Sequence, residues 1–137
     1  MEIICTIAII GIVSTITAIN MQSNQYILLK NSTALLVHHI RYIQAKSISQ
    51  KSTGYKIYAN YGFDDSGYRI FIPNEAMRYI KLNKGIKFVA TPLDCYVSFT
   101  ATGSPSKGTS FILKDNKDNK FQITIEVSTG RVKTSKM

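Results

Sequence analysis

The chain has 137 residues, which is enough for one domain of about 100 residues and one further segment. Its formal net charge of +9 favours anionic partners such as nucleic acid, anionic lipid or acidic polymers. A lysine-rich proteome is an alternative explanation of the same charge, because the abundance of Ile, Lys, Asn and Tyr is typical of an AT-rich genome. The cysteines, Cys5 and Cys95, are expected to lie too far apart in the fold to pair, which excludes a disulfide framework.

The N-terminal stretch is apolar as far as Ile19 and carries a single charge, on Glu2; the next charge is on Lys30. A helix needs about 20 mostly apolar residues to span a bilayer, and this stretch just reaches that length. A carboxylate at the edge of such a helix is costly unless it has a partner. A simple anchor with Glu2 in the headgroup layer is the plainer alternative. We therefore expect a membrane-spanning helix that is retained, with Glu2 as a candidate functional residue.

The helix is expected to continue beyond the apolar stretch. Between Glu2 and Lys51 the sequence has no proline and one glycine, Gly11. Six residues recur at spacings of three and four, which is typical of one buried helix face: Leu29, Thr33, Leu36, Ile40, Ile43 and Ser47. We predict one helix over about residues 2–50, apolar all round in its first half, amphipathic in its second, and ended by the Ser-Thr-Gly turn at 52–54.

The remaining sequence predicts short strands separated by turns. Alternating runs rich in aromatic and branched residues predict strands near 55–61, 68–72, 86–90, 96–101, 110–114, 121–127 and 131–133. The segment 76–84 is ambiguous between a short helix and a loop. Strands of this length and spacing indicate antiparallel sheets. The predicted core combines one helix face with strand residues: Leu36, Ile40, Ile43, Ile57, Ile70, Phe88, Phe99, Ile112, Ile123 and Ile125.

The polar residues do not assemble into a catalytic or metal site. Asp64 and Asp65 lie in a glycine-flanked turn, where acids commonly bond the local backbone. The loop 115–120 is rich in oxygen but lacks the bidentate acid and central glycine of a calcium loop. His38 and His39 point about 100° apart on a helix and cannot share a metal. No set of nucleophile, base and orienting group is visible, so we predict no enzyme activity, no cofactor and no metal.

The N-terminal sequence resembles that of type IV pilins and pseudopilins. Glu2 matches the glutamate of that family, and Ala-Ile-Ile-Gly-Ile at 8–12 matches its hydrophobic helix. A long helix, a strand-rich domain and a Ser-Thr-Gly-Arg-Val turn at 128–132 are similar to minor pseudopilins of the GspH/FimT type. The resemblance implies a pilin-like α+β fold, in which a long N-terminal helix with a membrane-spanning first half (1–24) packs on a C-terminal antiparallel β-sheet domain (25–137).

The resemblance also implies a function. A prepilin peptidase would remove a basic leader preceding Met1, and the new N-terminus would be methylated. Glu2 would then pair with the terminal amine of a neighbouring subunit, and Gly11 would allow close helix approach or local unwinding. The expected protein is a structural subunit of a type IV pilus, competence or type II secretion filament. Its partners would be other pilin subunits and the inner or cytoplasmic membrane, which it would span once, with the C-terminal domain outside the cytoplasm.

Two alternatives stay open. Arg131, Lys133 and Lys136 follow the turn at Gly130, and some relatives of this subtype carry a basic tail associated with DNA. These residues are therefore candidate DNA-binding residues for DNA uptake, although Lys133 lacks the bidentate phosphate geometry of an arginine. The second alternative is an unrelated single-pass anchor whose sheet domain binds a cell-wall polymer.

Overall fold

One long helix precedes a series of short strands. The computed structural model describes residues 2–60, 66–89 and 96–137, and within the helix it describes the side chains of 4–12 and 24–49. The helix is α1 (Glu2–Ser49). In the described ranges it is followed by β1 (Tyr55–Asn60), β2 (Gly67–Phe71), β3 (Arg78–Lys81), β4 (Lys87–Val89), β5 (Tyr96–Phe99), β6 (Thr109–Lys114), β7 (Lys120–Ile125) and β8 (Val132–Lys136).

These strands form two antiparallel sheets of four strands each within the described ranges. The first sheet has the order β3-β2-β1-β5 and the second has the order β4-β6-β7-β8. The β1–β2 hairpin places Ile57 opposite Ile70, and the β6–β7 hairpin places Phe111 opposite Ile123. In contrast, β5 joins β1 and β4 joins β6 over longer stretches of sequence. Local pattern specifies the hairpins but not these long-range neighbours.

The second half of α1 packs against both sheets. Leu29, Leu36, Ile40 and Ile43 are fully buried, and α1 contacts β1 and β5 of the first sheet and β6 and β7 of the second. Spacings of three, four and seven put these residues on one helix face. The predicted core is confirmed at these helix positions and at most of the strand positions: Ile57, Ile70, Phe88, Phe99, Ile123 and Ile125 are all buried.

Two predictions for the strands are wrong. Ile112 is only partly buried, because its β6 neighbours Phe111 and Leu113 point into the core instead. In a run of three apolar residues, either the middle residue or its two neighbours can point into the core. A shift of one residue moves each side chain from one face of the sheet to the other. The ambiguous segment 76–84 is neither a helix nor wholly a loop, since it contains β3, which pairs with β2. Strand formation there depends on a neighbour more than on local propensity.

The membrane-spanning first half of the helix is also a wrong prediction. Among the residues that the structure describes, no helix combines the length and the apolar character needed to cross a bilayer. Such a crossing takes about 20 apolar residues, whereas the described side chains before residue 24 are those of 4–12. The predictions that depended on that crossing, namely the membrane-spanning part of the fold and the location as a single-pass membrane protein, are corrected accordingly.

A histidine–tyrosine pair joins α1 to the first sheet. His39 Nδ1 lies 2.6 Å from the hydroxyl oxygen of Tyr68. Tyr68 is fully buried, and burial raises the pKa of its hydroxyl. Burial is also the main reason that the pKa of His39 is lowered, and the neighbouring His38 lowers it further. The fold therefore favours the neutral form of the His39 imidazole.

We expect the free energy of unfolding to decrease as the pH falls below about 6.5, the ordinary pKa of histidine. Because the folded pKa of His39 lies below the unfolded value, its contribution is complete above that pH and is lost as the pH falls through the folded pKa. Urea unfolding at pH 7.5 and pH 5.5 measures this. His39→Gln should remove most of the difference between the two pH values, and His38→Gln should retain most of it. If His39→Gln kept the same difference in unfolding free energy between the two pH values as the parent, His39 would not be its cause.

Candidate interaction surfaces

The N-terminal end of α1 exposes apolar side chains in all directions. Five isoleucines between residues 4 and 12 are 60% to 72% exposed: Ile4, Ile7, Ile9, Ile10 and Ile12. Successive residues of a helix turn by about 100°, so these five side chains are spread around the whole circumference. A helix that is apolar all round is normally a buried helix. This segment, called here the apolar segment (4–12), therefore needs neighbours on every side.

The two predicted assembly residues lie in or beside this segment. Glu2 is the first residue of α1, and its side chain lies outside the described residues. Gly11 lies among the exposed isoleucines, and a Cβ added there would meet nothing within 4 Å beyond the nearby helix backbone. The space beside Gly11 permits the close approach of another helix. The pairing of Glu2 with a neighbouring subunit stays a prediction.

The three predicted DNA-binding residues lie on or next to β8. Arg131 precedes the strand, and Lys133 and Lys136 are exposed within it. However, the Lys133 ammonium lies 2.5 Å from a carboxylate oxygen of Glu126, and this contact lowers the pKa of Glu126. The Lys136 ammonium lies 5.2 Å from the ring centre of Tyr26 on α1. Side chains alternate along a strand, so Lys133 and Lys136 point to opposite faces of the sheet. The structure therefore does not gather the three residues on one surface, and it pairs the charge of Lys133 with an acid.

The turn before β8 is fastened to α1 through Gln44. The side-chain amide of Gln44 donates to the carbonyl oxygen of Gly103 at 2.8 Å and to that of Gly130 at 3.2 Å. Gly130 has a φ of +65°, and a Cβ there would lie 2.5 Å from the Gln44 nitrogen. Glycine is the residue that satisfies both the left-handed backbone and the close approach. The start of β8 is therefore held beside the C-terminal part of α1.

A groove runs between α1 and the β8 edge of the second sheet. Its volume is about 410 Å³. Ala34 and Val37 of α1 and Phe121 of β7 give it an apolar floor, and Thr134 of β8 forms part of the opposite wall. The remaining lining residues also belong to α1: Lys30, Thr33, His38 and Arg41. This feature is called the α1–β8 groove below.

Positive charge borders the α1–β8 groove. Lys30 and Arg41 are exposed and, in the described part of the chain, neither forms an ion pair. Arg41 follows Lys30 by eleven positions, which corresponds to about 16 Å along the helix axis. The described acids are engaged elsewhere: Glu75 with Lys46 and Arg78, Asp118 with Lys114 and Lys120, Glu126 with Lys133, and Asp115 within its own turn. Among the described residues, the groove therefore presents positive charge without an acidic partner at both ends of an apolar floor.

Sequence reasoning did not predict this groove. A signal for its helix wall was present, because Lys30, Ala34, Val37 and Arg41 recur at spacings of four, three and four beside the buried face. No comparable signal places β8 opposite that row. The position of β8 depends on its pairing with β7 and on the contact of Gln44 with Gly130.

No metal site is found within the described ranges, which contain no group of three or more His, Cys, Asp or Glu side chains able to hold an ion. Asp115 binds the backbone N–H groups of Lys117 and Asn119 and thus stabilises its own turn. Asp64, Asp65 and Cys95 lie outside the described residues. The absence of enzyme activity and of a cofactor stays a prediction.

Comparison with known protein families, with characterised proteins and with solved structures returns no match to this chain. A functional assignment therefore depends on the two surfaces described above, the apolar segment and the α1–β8 groove, together with the motifs that resemble those of pilins.

Proposed function

We propose that this chain is a structural filament subunit of the pilin-like kind, a minor subunit of a type IV pilus, competence or type II secretion filament. The observation that supports this proposal most directly is the exposure of five isoleucines around the whole circumference of the apolar segment. Burying an isoleucine side chain is worth roughly 1.5 to 3 kcal/mol. Leaving five of them exposed is costly, so the segment gains most from association.

The distribution of these side chains favours several neighbours over one. Two helices that pack as a pair bury a single seam on each other. Such a seam would cover part of the circumference and leave isoleucines on the far side exposed. In a helical filament each N-terminal helix is surrounded by helices of other subunits. That arrangement covers every direction in which Ile4, Ile7, Ile9, Ile10 and Ile12 point.

Glu2 would set the position of the chain within such a filament. A carboxylate buried among apolar helices is tolerable only when it is paired and hydrogen-bonded. The resemblance to pilins supplies the partner, which is the terminal amine of a neighbouring subunit after a prepilin peptidase has acted. The pair can form at only one axial offset between the two helices. Glu2 would thus fix the register, and the apolar segment would supply the affinity.

We expect Ile7→Asp to abolish incorporation into filaments without unfolding the domain. Ile7 is 65% exposed and lies far along α1 from the core residues, so the melting temperature should not change. In a filament the new carboxylate would be buried without a partner. The measurement is the amount of the full chain in filaments sheared from producing cells, detected with an antibody. Glu2→Ala should give the same result if the proposed pairing is correct.

The matched control for this experiment is Ile7→Val, which keeps the position apolar and should assemble at close to the parental level. Loss of assembly in Ile7→Asp together with a lowered melting temperature would indicate misfolding and would not support the proposal. Incorporation of Ile7→Asp at the parental level would overturn it.

The alternative function, capture of DNA by the basic tail, has less support. Lys133 is already paired with Glu126, and Lys136 lies against Tyr26. Of the three candidate residues, Arg131 is left with no such contact of its charged group to a described residue. Duplex DNA binding normally requires several simultaneous phosphate contacts.

A further inference from the structure

The edge of the second sheet at β8 is open and long enough to accept another strand. β8 pairs with β7 on one side, and it is the outermost strand of that sheet in the described ranges. It has five residues, whereas the other outermost strands, β3, β4 and β5, have four, three and four. Four of the five β8 residues are exposed. An edge of this kind is a template for strand addition.

The hydrogen-bond register shows which backbone groups face the open side. The N–H of Glu126 donates to the carbonyl of Arg131, and the N–H of Met137 donates to the carbonyl of Lys120, each at 3.0 Å. In an antiparallel pair, alternate residues face the partner strand. The odd-numbered residues therefore bond β7, and the N–H and C=O groups of Val132, Thr134 and Lys136 point away from it.

The same residues direct their side chains toward α1. Thr134 lines the α1–β8 groove, and Lys136 lies over Tyr26. A strand added to β8 would continue this alternation. Its inward side chains would enter the α1–β8 groove over Ala34 and Val37, and its outward side chains would face solvent.

We propose that β8 binds an extended, acidic segment of a partner protein as an additional strand, with an apolar side chain in the groove and carboxylates reaching Lys30 and Arg41. Two inward side chains four residues apart in a strand are separated by about 13 Å. This is shorter than the distance of about 16 Å between Lys30 and Arg41 along the helix axis, and the long side chains of these two residues can bridge the difference. Charge complementarity identifies the occupant as acidic, because neither cation has an acidic partner in the described part of the chain.

A second copy of this chain fits the groove less well than an acidic partner. The chain carries a net charge of +9, and each described acid is already bound within its own molecule. Two copies would bring like charges together at the groove. The proposed binding mode is independent of filament assembly, since it uses the sheet edge and the domain end of α1.

The test uses the full chain and a fluorescein-labelled, capped heptapeptide, Thr-Glu-Thr-Val-Thr-Glu-Thr, whose glutamates and valine fall on one face of a strand. We expect saturable binding by fluorescence anisotropy, weakened at least tenfold between 50 and 500 mM salt because exposed charges are screened. Amide hydrogen exchange should slow at Val132, Thr134 and Lys136 when the peptide is bound. The charge-reversed peptide, Thr-Lys-Thr-Val-Thr-Lys-Thr, should not bind.

Three variants separate the proposed contacts from each other. Lys30→Glu with Arg41→Glu should weaken binding at least tenfold by removing the charge complementarity. Thr134→Pro should do the same by removing an outward N–H, and an edge strand tolerates proline where the N–H faces outward. Ala34→Trp should fill the groove and block the peptide. The matched control is Ala45→Trp, an exposed alanine on the same helix outside the groove, which should bind normally.

The outcomes are distinct. Loss of binding in the groove variants with retention in Ala45→Trp, together with protection of the three outward amides, supports the proposal. Failure of the full chain to bind the acidic peptide at 50 mM salt overturns it and leaves the β8 lysines as residues that protect a sheet edge. Binding of a labelled oligothymidylate instead, weakened by Lys30→Glu with Arg41→Glu, also overturns it and assigns the groove to nucleic acid.

Discussion

Ile40→Ala is expected to lower the free energy of unfolding by about 2 to 5 kcal/mol, the range for truncating a large aliphatic side chain in a core. Ile40 is fully buried on the face of α1 that contacts both sheets. The substitution removes apolar contacts and leaves a cavity between tightly packed elements. The higher helix propensity of alanine offsets at most about 0.7 kcal/mol of that loss. Urea or guanidinium unfolding, followed by circular dichroism, measures the shift in midpoint.

The control for this prediction lies on the same helix. Leu35 is 44% exposed, so Leu35→Ala removes the same number of carbon atoms as Ile40→Ala but a smaller buried area. We expect its midpoint to fall clearly less than that of Ile40→Ala. Equal midpoints for Ile40→Ala and the parent would mean that this face of α1 does not form the core. Equal losses in Ile40→Ala and Leu35→Ala would point to an effect on the helix and not on packing.

The helix face was predictable because its signal is long and redundant. From Leu29 to Ser47 the spacing of three and four repeats over several turns, and each buried position supports the next. The strand signals are shorter, so their errors are larger. Ile112 was assigned to the wrong face because Phe111, Ile112 and Leu113 are all apolar. β3 was missed because its formation depends on pairing with β2.

The arrangement of the sheets and the candidate site could not be predicted in the same way. Nothing local in the sequence specifies that β5 pairs with β1 or that β8 closes the second sheet beside α1. The charged tail residues were visible in sequence, but the pairing of Lys133 with Glu126 was not. The apolar N-terminal stretch was visible as well. Its assignment as a membrane-spanning helix relied on length and composition, and the described structure does not support it.

The hairpin between β6 and β7 contains a second site where one substitution should have a large effect. Asp115 is 3% exposed, and its carboxylate accepts hydrogen bonds from the backbone N–H of Lys117 at 2.8 Å and of Asn119 at 2.9 Å. The side-chain amide of Asn119 donates to its second oxygen at 2.8 Å. The loop that sequence analysis compared with a calcium loop is therefore a turn organised around one carboxylate.

Asp115→Ala is expected to lower the free energy of unfolding by about 1.5 to 3 kcal/mol at pH 7, because the hydrogen bonds to a charged group are lost and the N–H donors keep no acceptor in its place. Burial alone would raise the pKa of Asp115, but the hydrogen bonds from Asn119 and Lys117 and the Lys117 charge lower it overall. A lowered folded pKa means that the stabilisation is complete above about pH 3.9, the unfolded value, and is lost as the pH falls through the folded pKa. The difference in unfolding free energy between the parent and Asp115→Ala should therefore become smaller below that pH.

Two further variants distinguish a structural role of the Asp115 carboxylate from a general effect of its charge. Asp115→Asn should lose less stability than Asp115→Ala at pH 7, since its remaining oxygen can still accept the two backbone N–H groups. Asp118→Asn is the matched control, because Asp118 is exposed with a φ of +63°, which asparagine tolerates. Its ion pairs with Lys114 and Lys120 lie at the surface, so that variant should lose no more than about 1 kcal/mol. Equal losses for Asp115→Ala and Asp118→Asn at pH 7 would show that Asp115 contributes only to the overall charge balance. A difference in unfolding free energy between the parent and Asp115→Ala that stays constant down to pH 2.5 would show that the contribution of Asp115 does not depend on its charge. A larger loss at Asp115 that disappears with acid would establish that one buried carboxylate sets the geometry of the β6–β7 turn, and with it the strand on which β8 pairs.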